Sequence, residues 1–365
     1  MLVEMLPVLA RENSAASCLF IYRTPFEAVT YQLAKKLTGS GVSVFFVKYD
    51  RVYDMPKLIY QTNKKIEAAA PDIIHTHLSL AEFCLATLKT LGLKTPVVTT
   101  FHGYPETNNT QFDPASLSIK KKSLRLSMLR FVCRRLDGFI FISDFLLNFF
   151  IHNKIVNKNQ RNYRVDNGCV FPDIIKPDEV IIDRNHTRIV LPGRLVERKG
   201  HVFAFEAVKL LSEKYPTILL DCYGLGPDID ILRQQIGELG MTDHIRLQGF
   251  SENIVQTISK YDIALLPSMY EPFGIVFLDS FAAKVPVIAF DLPAGNEIIT
   301  DGYNGLLAEP KNAASLAAKA EILIEDNRLR DNIVINAHKT LQEKYSMDLM
   351  VNAYLSVYRE LIAKT

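Results

Sequence analysis

The sequence has no excess of either charge. Its 42 Lys and Arg face 40 Asp and Glu, so the formal net charge is +2. That balance argues against a dedicated nucleic-acid binder, which is usually strongly basic. Disorder is excluded as well, because 48% of the residues are hydrophobic and a disordered chain needs low hydrophobicity with high net charge. Paired cysteines are also missing. Five cysteines lie far apart at 18, 84, 133, 169 and 222, with no CxxC and no Cys/His cluster. Neither a disulfide framework nor a zinc site is expected, and the thiols read as small reduced hydrophobes of a cytoplasmic protein. No run of about 18 apolar residues is present, so no segment is expected to span a membrane. Residues 1–17 lack a basic start and are interrupted by Pro7, Arg11 and Glu12, which does not fit a signal peptide. Low-complexity tracts and short repeats are absent.

What is present is a repeated alternation. The chain has 365 residues, and single cores stop growing near ~250–300, so two domains are expected. Short apolar runs occur at 18–22, 42–47, 72–77, 96–102 and 138–143, and again at 188–194, 217–224, 244–250, 262–268 and 285–290. They are continuously apolar, as strands of a parallel sheet buried on both faces should be, and helical patterns separate them. The reading is an α/β protein of two doubly wound, Rossmann-like domains. The first covers 1–170. A linker follows at 171–187, with two prolines, six charges and no periodicity. The second covers 188–345. Residues 346–365 form an amphipathic helix with Ser346 as N-cap and Met350, Tyr354, Val357 and Leu361 on one face.

Ligands of such sheets bind at the carboxyl ends of the strands. His75, His77, His102, Ser143, Arg194, Gly224, Gly226, Ser268 and Glu271 sit there, as expected if a cleft between the domains holds a polar ligand. GRLVERKG (193–200) leaves a strand for a helix, and Arg194 and Lys199 can reach one anion across the turn. Alternatively it is a solvated basic turn, with Glu197 and Arg198 as ordinary surface residues. YGLGPD (223–228) places Gly224 and Gly226 at a strand end, where glycine permits close backbone approach to a ligand or simply makes the turn. Asp228 and Asp230 match a metal-holding DxD, but acidic residues are favoured at a helix start anyway, and no metal is expected. In SMYEPFGIVFLDSFAAKVP (268–286), Pro272 and Gly274 open a helix. The free N–H groups near Phe273, Gly274, Ile275 and Val276 point toward an anion. Glu271 precedes them, and Asp279, further along, can accept ribose hydroxyls. The competing reading is that Glu271 stabilises the helix start and Asp279 faces solvent. Glu297, in the loop 293–310, either faces the cleft or caps a turn.

GRLVERKG, YGLGPD, IRLQGF, SMYEPFGIVFLDSFAAKVPVIA and GNEIITDGYNGLL, in that order, resemble the retaining glycosyltransferases of family 4, which have the GT-B fold. The resemblance implies two Rossmann-like domains facing a central cleft, with the C-terminal helix crossing back to the first. It implies that Arg194 and Lys199 bind the donor diphosphate. Glu271 and the amides of Phe273 to Val276 would hold the donor sugar and phosphates. The family's ribose-binding glutamate falls on Asp279, one methylene shorter. DIIHTH, PVVTTFHG and FIFIS resemble the acceptor domain, and His102 matches a histidine lining the active site near the donor sugar. His75 and His77 match a weaker motif, and His75 reads as structural. The family's Gly-Gly loop after the first strand is absent. Arg23, Thr24, Pro25 and Phe26 stand there instead, with Arg23 as a substitute cation; otherwise VEMLPVL is the first strand.

The activity implied is hexosyl transfer from a nucleoside diphosphate sugar, a UDP-sugar being favoured, to a hydroxyl of a glycan or lipid-linked acceptor. Configuration is retained, no cofactor or metal is used, and the setting is bacterial envelope polysaccharide or glycoconjugate synthesis. A catalytically degenerate sugar-nucleotide-binding partner and a sugar-nucleotide epimerase on the same fold are the alternatives. Segment 118–136 carries seven Lys and Arg and no acid, with Leu124, Met128, Phe131, Val132 and Leu136 at helical spacing. It suits an interfacial helix on anionic lipid, or a surface helix packed on the first sheet. The near-neutral total hides an asymmetry, since 1–187 carries +7 and 188–365 carries −5. An anionic membrane surface, reached from the cytoplasm at its inner face, or an anionic lipid-linked acceptor is thus the expected partner of the first half, and nucleic acid is not.

Overall fold

The computed structural model describes residues 5–8, 16–22, 27–49, 54–77, 79–103, 124–170, 186–293 and 295–364. The chain divides into two compact units, Met1–Val170 with Met347–Thr365, and Phe171–Ser346. Of the linker expected at 171–187, all but His186 and Thr187 lies outside the described residues, as does the loop from Arg23 to Phe26.

The first unit holds β1 (Ser17–Tyr22) paired in parallel with β2 (Ser43–Lys48), and a parallel sheet of β3 (Ile74–Thr76), β4 (Val97–Phe101), β5 (Gly138–Phe141) and β6 (Asn162–Arg164) in that order. Every residue of β4 and β5 is buried, which is why their sequences are apolar apart from Thr99 and Thr100 of β4. The strand β6 was not anticipated, because Asn162, Tyr163 and Arg164 make no apolar run and the strand lies at the edge of the sheet. Residues 5–8, read as one possible first strand, are helical instead. Pro7 lacks the N–H that a strand ladder needs but is tolerated in a first helical turn.

The C-terminal helix, Met347–Ala363, belongs to this unit. Its Met350, Tyr354, Val357 and Leu361 are buried, as the amphipathic pattern predicts, and they pack in one cluster with Val98 of β4 and Ile140 of β5. The seat is close: a Cβ added to Gly138 would lie 3.1 Å from Leu361 Cδ1. On helix Ser79–Thr90, Glu82 is buried with Thr99 Oγ1 donating to its Oε1 at 2.8 Å. Burial pushes its pKa up to about 7, against a smaller opposing effect of that hydrogen bond.

In the second unit six parallel strands run in the order β12-β11-β10-β7-β8-β9. They are β7 (Arg188–Pro192), β8 (Leu219–Tyr223), β9 (Ile245–Gly249), β10 (Ile263–Leu266), β11 (Val287–Phe290) and β12 (Leu306–Ala308). This is the doubly wound order of dinucleotide-binding sheets, and its switch point falls between β7 and β10. Ile189, Leu191, Leu220, Cys222, Ile263 and Leu265 pack with Phe205, Val208, Leu316 and Leu323 from helices His201–Ser212 and Ala313–Glu325. Val190, Ala264 and Leu266, alternating with them, are buried too, so the sheet is covered on both faces.

The buried Glu82 generates a pH prediction. Between its ordinary value and about 7 the folded chain keeps a proton that the unfolded chain releases, so stability falls as pH rises through that window. Chemical denaturation of wild type and Glu82→Gln should show wild type losing on the order of 3 kcal/mol relative to the variant between about pH 4.5 and 7.

Candidate active site

In the second unit the loops after β7, β8 and β10 knit together at the carboxyl edge. The Glu197–Lys199 turn ends at Gly200, which has φ 70° and leads into helix His201–Ser212. A Cβ on Gly200 would lie 1.9 Å from the Pro267 carbonyl oxygen at the end of β10. Only glycine lets the first loop settle there. The consequence is an ion pair across the switch point: Lys199 Nζ donates to Glu271 Oε1, and both side chains are nearly buried, 11% and 12% exposed. Ser268 Oγ donates to the same Oε1 at 3.0 Å. Lys199 also lies along Gly193, whose added Cβ would meet its Cδ at 3.5 Å. Arg198, read as surface, ties the same loops: its carbonyl accepts the Met269 N–H at 2.8 Å, and its guanidinium donates to the Tyr270 carbonyl at 3.3 Å.

Gly224 and Gly226 occupy the adjoining corner. A Cβ on Gly224 would lie 1.9 Å from the Gly193 carbonyl oxygen, and one on Gly226 would lie 2.0 Å from that of Leu195. Their first role is thus to let the loop after β8 pack on the loop after β7, where the Leu195 N–H bonds the Leu225 carbonyl at 3.1 Å. Arg194, between these contacts, is exposed, and no side chain among the described residues pairs with its guanidinium. Asp230 is exposed and pairs with Arg233 of its own helix at 3.2 Å.

Gly274 caps helix Ile275–Ala282 and packs against the Phe277 ring, 2.4 Å from where a Cβ would stand. The Phe277 N–H is bonded back to the Gly274 carbonyl at 2.9 Å. The N–H groups of Phe273, Gly274, Ile275 and Val276 precede it, at the positive end of the helix. Asp279 lies half-buried one turn further on, and Glu297 half-buried in the short helix Gly295–Ile298. The structure thus brings Arg194, Lys199, Gly224, Gly226 and Glu271 together in the loops of one sheet edge. His201, passed over in the sequence, is 2% exposed with no partner for either ring nitrogen among the described residues. Burial, then the Lys199 charge, lowers its pKa to about 4.

In the first unit His102 follows β4 and meets a histidine relay. His77 Nδ1 lies 3.0 Å from His102 Nε2. The ring of His75 lies 4.1 Å from that of His77, centroid to centroid. His75 has a hydroxyl at each nitrogen, Tyr358 at 2.5 Å and Thr100 at 2.7 Å. That supports its structural reading. Desolvation lowers His75 to about 3, His102 to about 4, and His77 well below its ordinary value, so all three are neutral. The HxH spacing signalled that His75 and His77 share a face; nothing local signalled the contact with His102.

The basic segment is described from residue 124, and 118–123 lie outside the described residues. In helix Leu124–Cys133 and just beyond, Leu126, Val132 and Leu136 are buried, and Phe131 packs against Phe83 at 6.1 Å. Most of the apolar stripe is used inside the unit. Met128, Arg134 and Arg135 remain exposed. Among the described residues no helix is long and apolar enough to cross a membrane.

The family described as Glycosyl transferases group 1 matches residues 174–340, and Glycosyltransferase Family 4 matches residues 20–168. The chain belongs to glycosyltransferase family 4. This family 4 protein is 30% identical over 175 residues to the alpha-D-kanosaminyltransferase of Streptomyces kanamyceticus, covering 47% of this chain and 45% of that one. It is 25% identical over 307 residues to the N-acetyl-alpha-D-glucosaminyl L-malate synthase of Bacillus anthracis, covering 80% and 75%. The chain spans about half the length of the curated relatives it matches at around 30% identity. A solved structure of Anabaena Alr3699/HepE in complex with UDP superposes with a TM-score of 0.78 at 17% identity, over 98% of this chain and 95% of that one. The shared fold is GT-B.

The Gly200 contact can be tested directly. Gly200→Ala should lower stability by more than about 1 kcal/mol in chemical denaturation, since the new Cβ meets backbone at positive φ. Gly237→Ala, whose Cβ would meet nothing within 4 Å, should be neutral or stabilising.

Proposed function

We propose that this protein transfers a hexosyl group from a UDP-sugar to a hydroxyl of a glycan or lipid-linked acceptor, with retention of configuration. The observation that carries the reading is the anion-ready corner of the second unit. There Arg194, the ion-paired Lys199 and the N-terminus of helix Ile275–Ala282 belong to loops at the switch-point edge. An ammonium has three donors, so pairing with Glu271 leaves Lys199 two N–H groups for a diphosphate. Glu271 holds Lys199 in place and accepts a donor hydroxyl with its second oxygen. Asp279 accepts ribose hydroxyls. The names of the relatives support sugar transfer, and the UDP complex of Alr3699/HepE supports the choice of base.

In the proposed step the bond from the anomeric carbon to the β-phosphate oxygen breaks. The acceptor oxygen bonds to the same face of that carbon, and the acceptor proton passes to the departing phosphate. The products are a glycoside and UDP. Charge develops on the diphosphate, and the groups aimed at it stabilise that charge without reorganising. Arg194, Lys199 and the helix amides supply this positive potential, so the proposal includes no metal. His102, neutral, hydrogen-bonds the donor sugar. Synthesis of envelope polysaccharide or glycoconjugate is the proposed setting. Contact with an anionic membrane surface is electrostatic, through Arg134 and Arg135, not through an inserted apolar face.

Screening UDP-, GDP- and ADP-sugars by thermal unfolding should single out UDP-sugars, with stabilisation of ~2.7 kcal/mol at 100 Kd. Lys199→Ala should keep the fold and lose that stabilisation together with transfer, and chelation of divalent metals should leave transfer intact. Near-wild-type turnover in Lys199→Ala would sink the diphosphate assignment. Tight donor binding without turnover in the wild type would favour a degenerate binding protein.

A further inference from the structure

The contact between His77 and His102 goes beyond that reading. We propose that His77 is a positioning residue. It holds His102 through Nε2 and leaves Nδ1 as the one ring nitrogen that His102 can offer a ligand. The arrangement depends on placement at the sheet edge. His77 follows β3 and His102 follows β4, and these strands pair with Ile74 opposite Val97 and Thr76 opposite Thr99. The two imidazoles therefore emerge side by side from adjacent strand ends. Their rings are 5.2 Å apart with 23° between planes, and the nitrogens are 3.0 Å apart.

A neutral imidazole has one donor and one acceptor nitrogen. At the contact one of the two rings donates and the other accepts. In either arrangement Nε2 of His102 is engaged and Nδ1 is left over. No hydrogen bond among the described residues engages Nδ1, the nitrogen that the proposal gives to a ligand group. His77 itself is held from behind. The His75 ring lies against it, and His75 is pinned by Tyr358 of the C-terminal helix and Thr100 of β4. The chain of contacts thus runs from the C-terminal helix through His75 and His77 to His102. The neutrality of all three rings, enforced by burial, is consistent with it. The catalytic meaning of the contact rests on the transfer reading, whereas the contact itself does not.

The test uses the full-length protein with 15N-labelled histidine. In the wild type, His102 should show a single neutral tautomer and a through-hydrogen-bond coupling between its Nε2 and Nδ1 of His77. Folded His77→Phe keeps the ring and removes the nitrogens, and should move both His102 nitrogens toward tautomer-averaged positions. His77→Asn, whose amide reaches the place of Nδ1, should restore one tautomer. In transfer assays His77→Phe should lower kcat about tenfold with donor KM changed by less than about twofold, and should add less than about twofold in a His102→Ala background. An averaged tautomer or missing coupling in the wild type would overturn the proposal, and neither needs a variant to fold. Unchanged His102 resonances in His77→Phe, or an equal loss in both backgrounds, would overturn it as well. If no transfer is found at all, the transfer reading falls while the resonances still decide this one.

Discussion

The second unit turns on the ion pair between Lys199 and Glu271. It joins the loop after the sheet's first strand to the loop after its fourth, across the switch point where the winding reverses. An ion pair this far from solvent contributes little net stability, because the cost of removing two charges from water offsets their attraction. Its effect is placement. Lys199 is fixed along Gly193, Glu271 is fixed by Lys199 and Ser268, and helix Ile275–Ala282 starts four residues later. Gly200, with no Cβ to collide with the Pro267 carbonyl, lets the loop that carries Lys199 lie against the end of the fourth strand. Gly224 and Gly226 extend the same logic to the next loop. Removing side chains from three backbone positions brings three loops within reach of one another.

The first unit solves a different problem. Its sheet edge carries polar rings that are buried, and buried polar groups are costly unless they are hydrogen-bonded. The partners come from the far end of the chain. Tyr358 bonds His75 directly, and Tyr354 lies 3.4 Å from Thr100 on the next strand. The C-terminal helix therefore does more than cover apolar surface. It satisfies the polar layer around His75, against which His77 lies. Glu82 shows the same economy on a helix packed against the sheet, where a hydroxyl from Thr99 of β4 donates to its carboxyl and burial raises its pKa.

Much of this organisation was legible in the residues. The strands β4, β5, β7, β8, β10 and β11 appear as apolar runs because a parallel sheet covered on both faces admits little else. The amphipathic face of the last helix was legible for a similar reason, since period 3.6 leaves one buried stripe. The edge strand β6 was not, because Asn162 and Arg164 are not selected for burial. The gathering of Arg194, Lys199, Gly224, Gly226 and Glu271 at one sheet edge was legible from their places after apolar runs. Their roles were less so. Gly224 and Gly226 read either as backbone open to a ligand or as turn glycines, and both lie against the backbone of a neighbouring loop. Arg198 read as surface, yet it grips the stretch leading to Glu271.

The sequence by itself determined the two series of strand and helix, the residue types at the strand ends and the family. These are local properties, set by burial period and by the order of short motifs. Tertiary structure alone decided who meets whom. Lys199 and Glu271 are 72 residues apart, His75 and Tyr358 are 283 apart, and His77 and His102 are 25 apart. Strand order and register select those pairs. A contact across a sheet depends on which strands become neighbours and where they align, and the spacing of residues along the chain does not encode that.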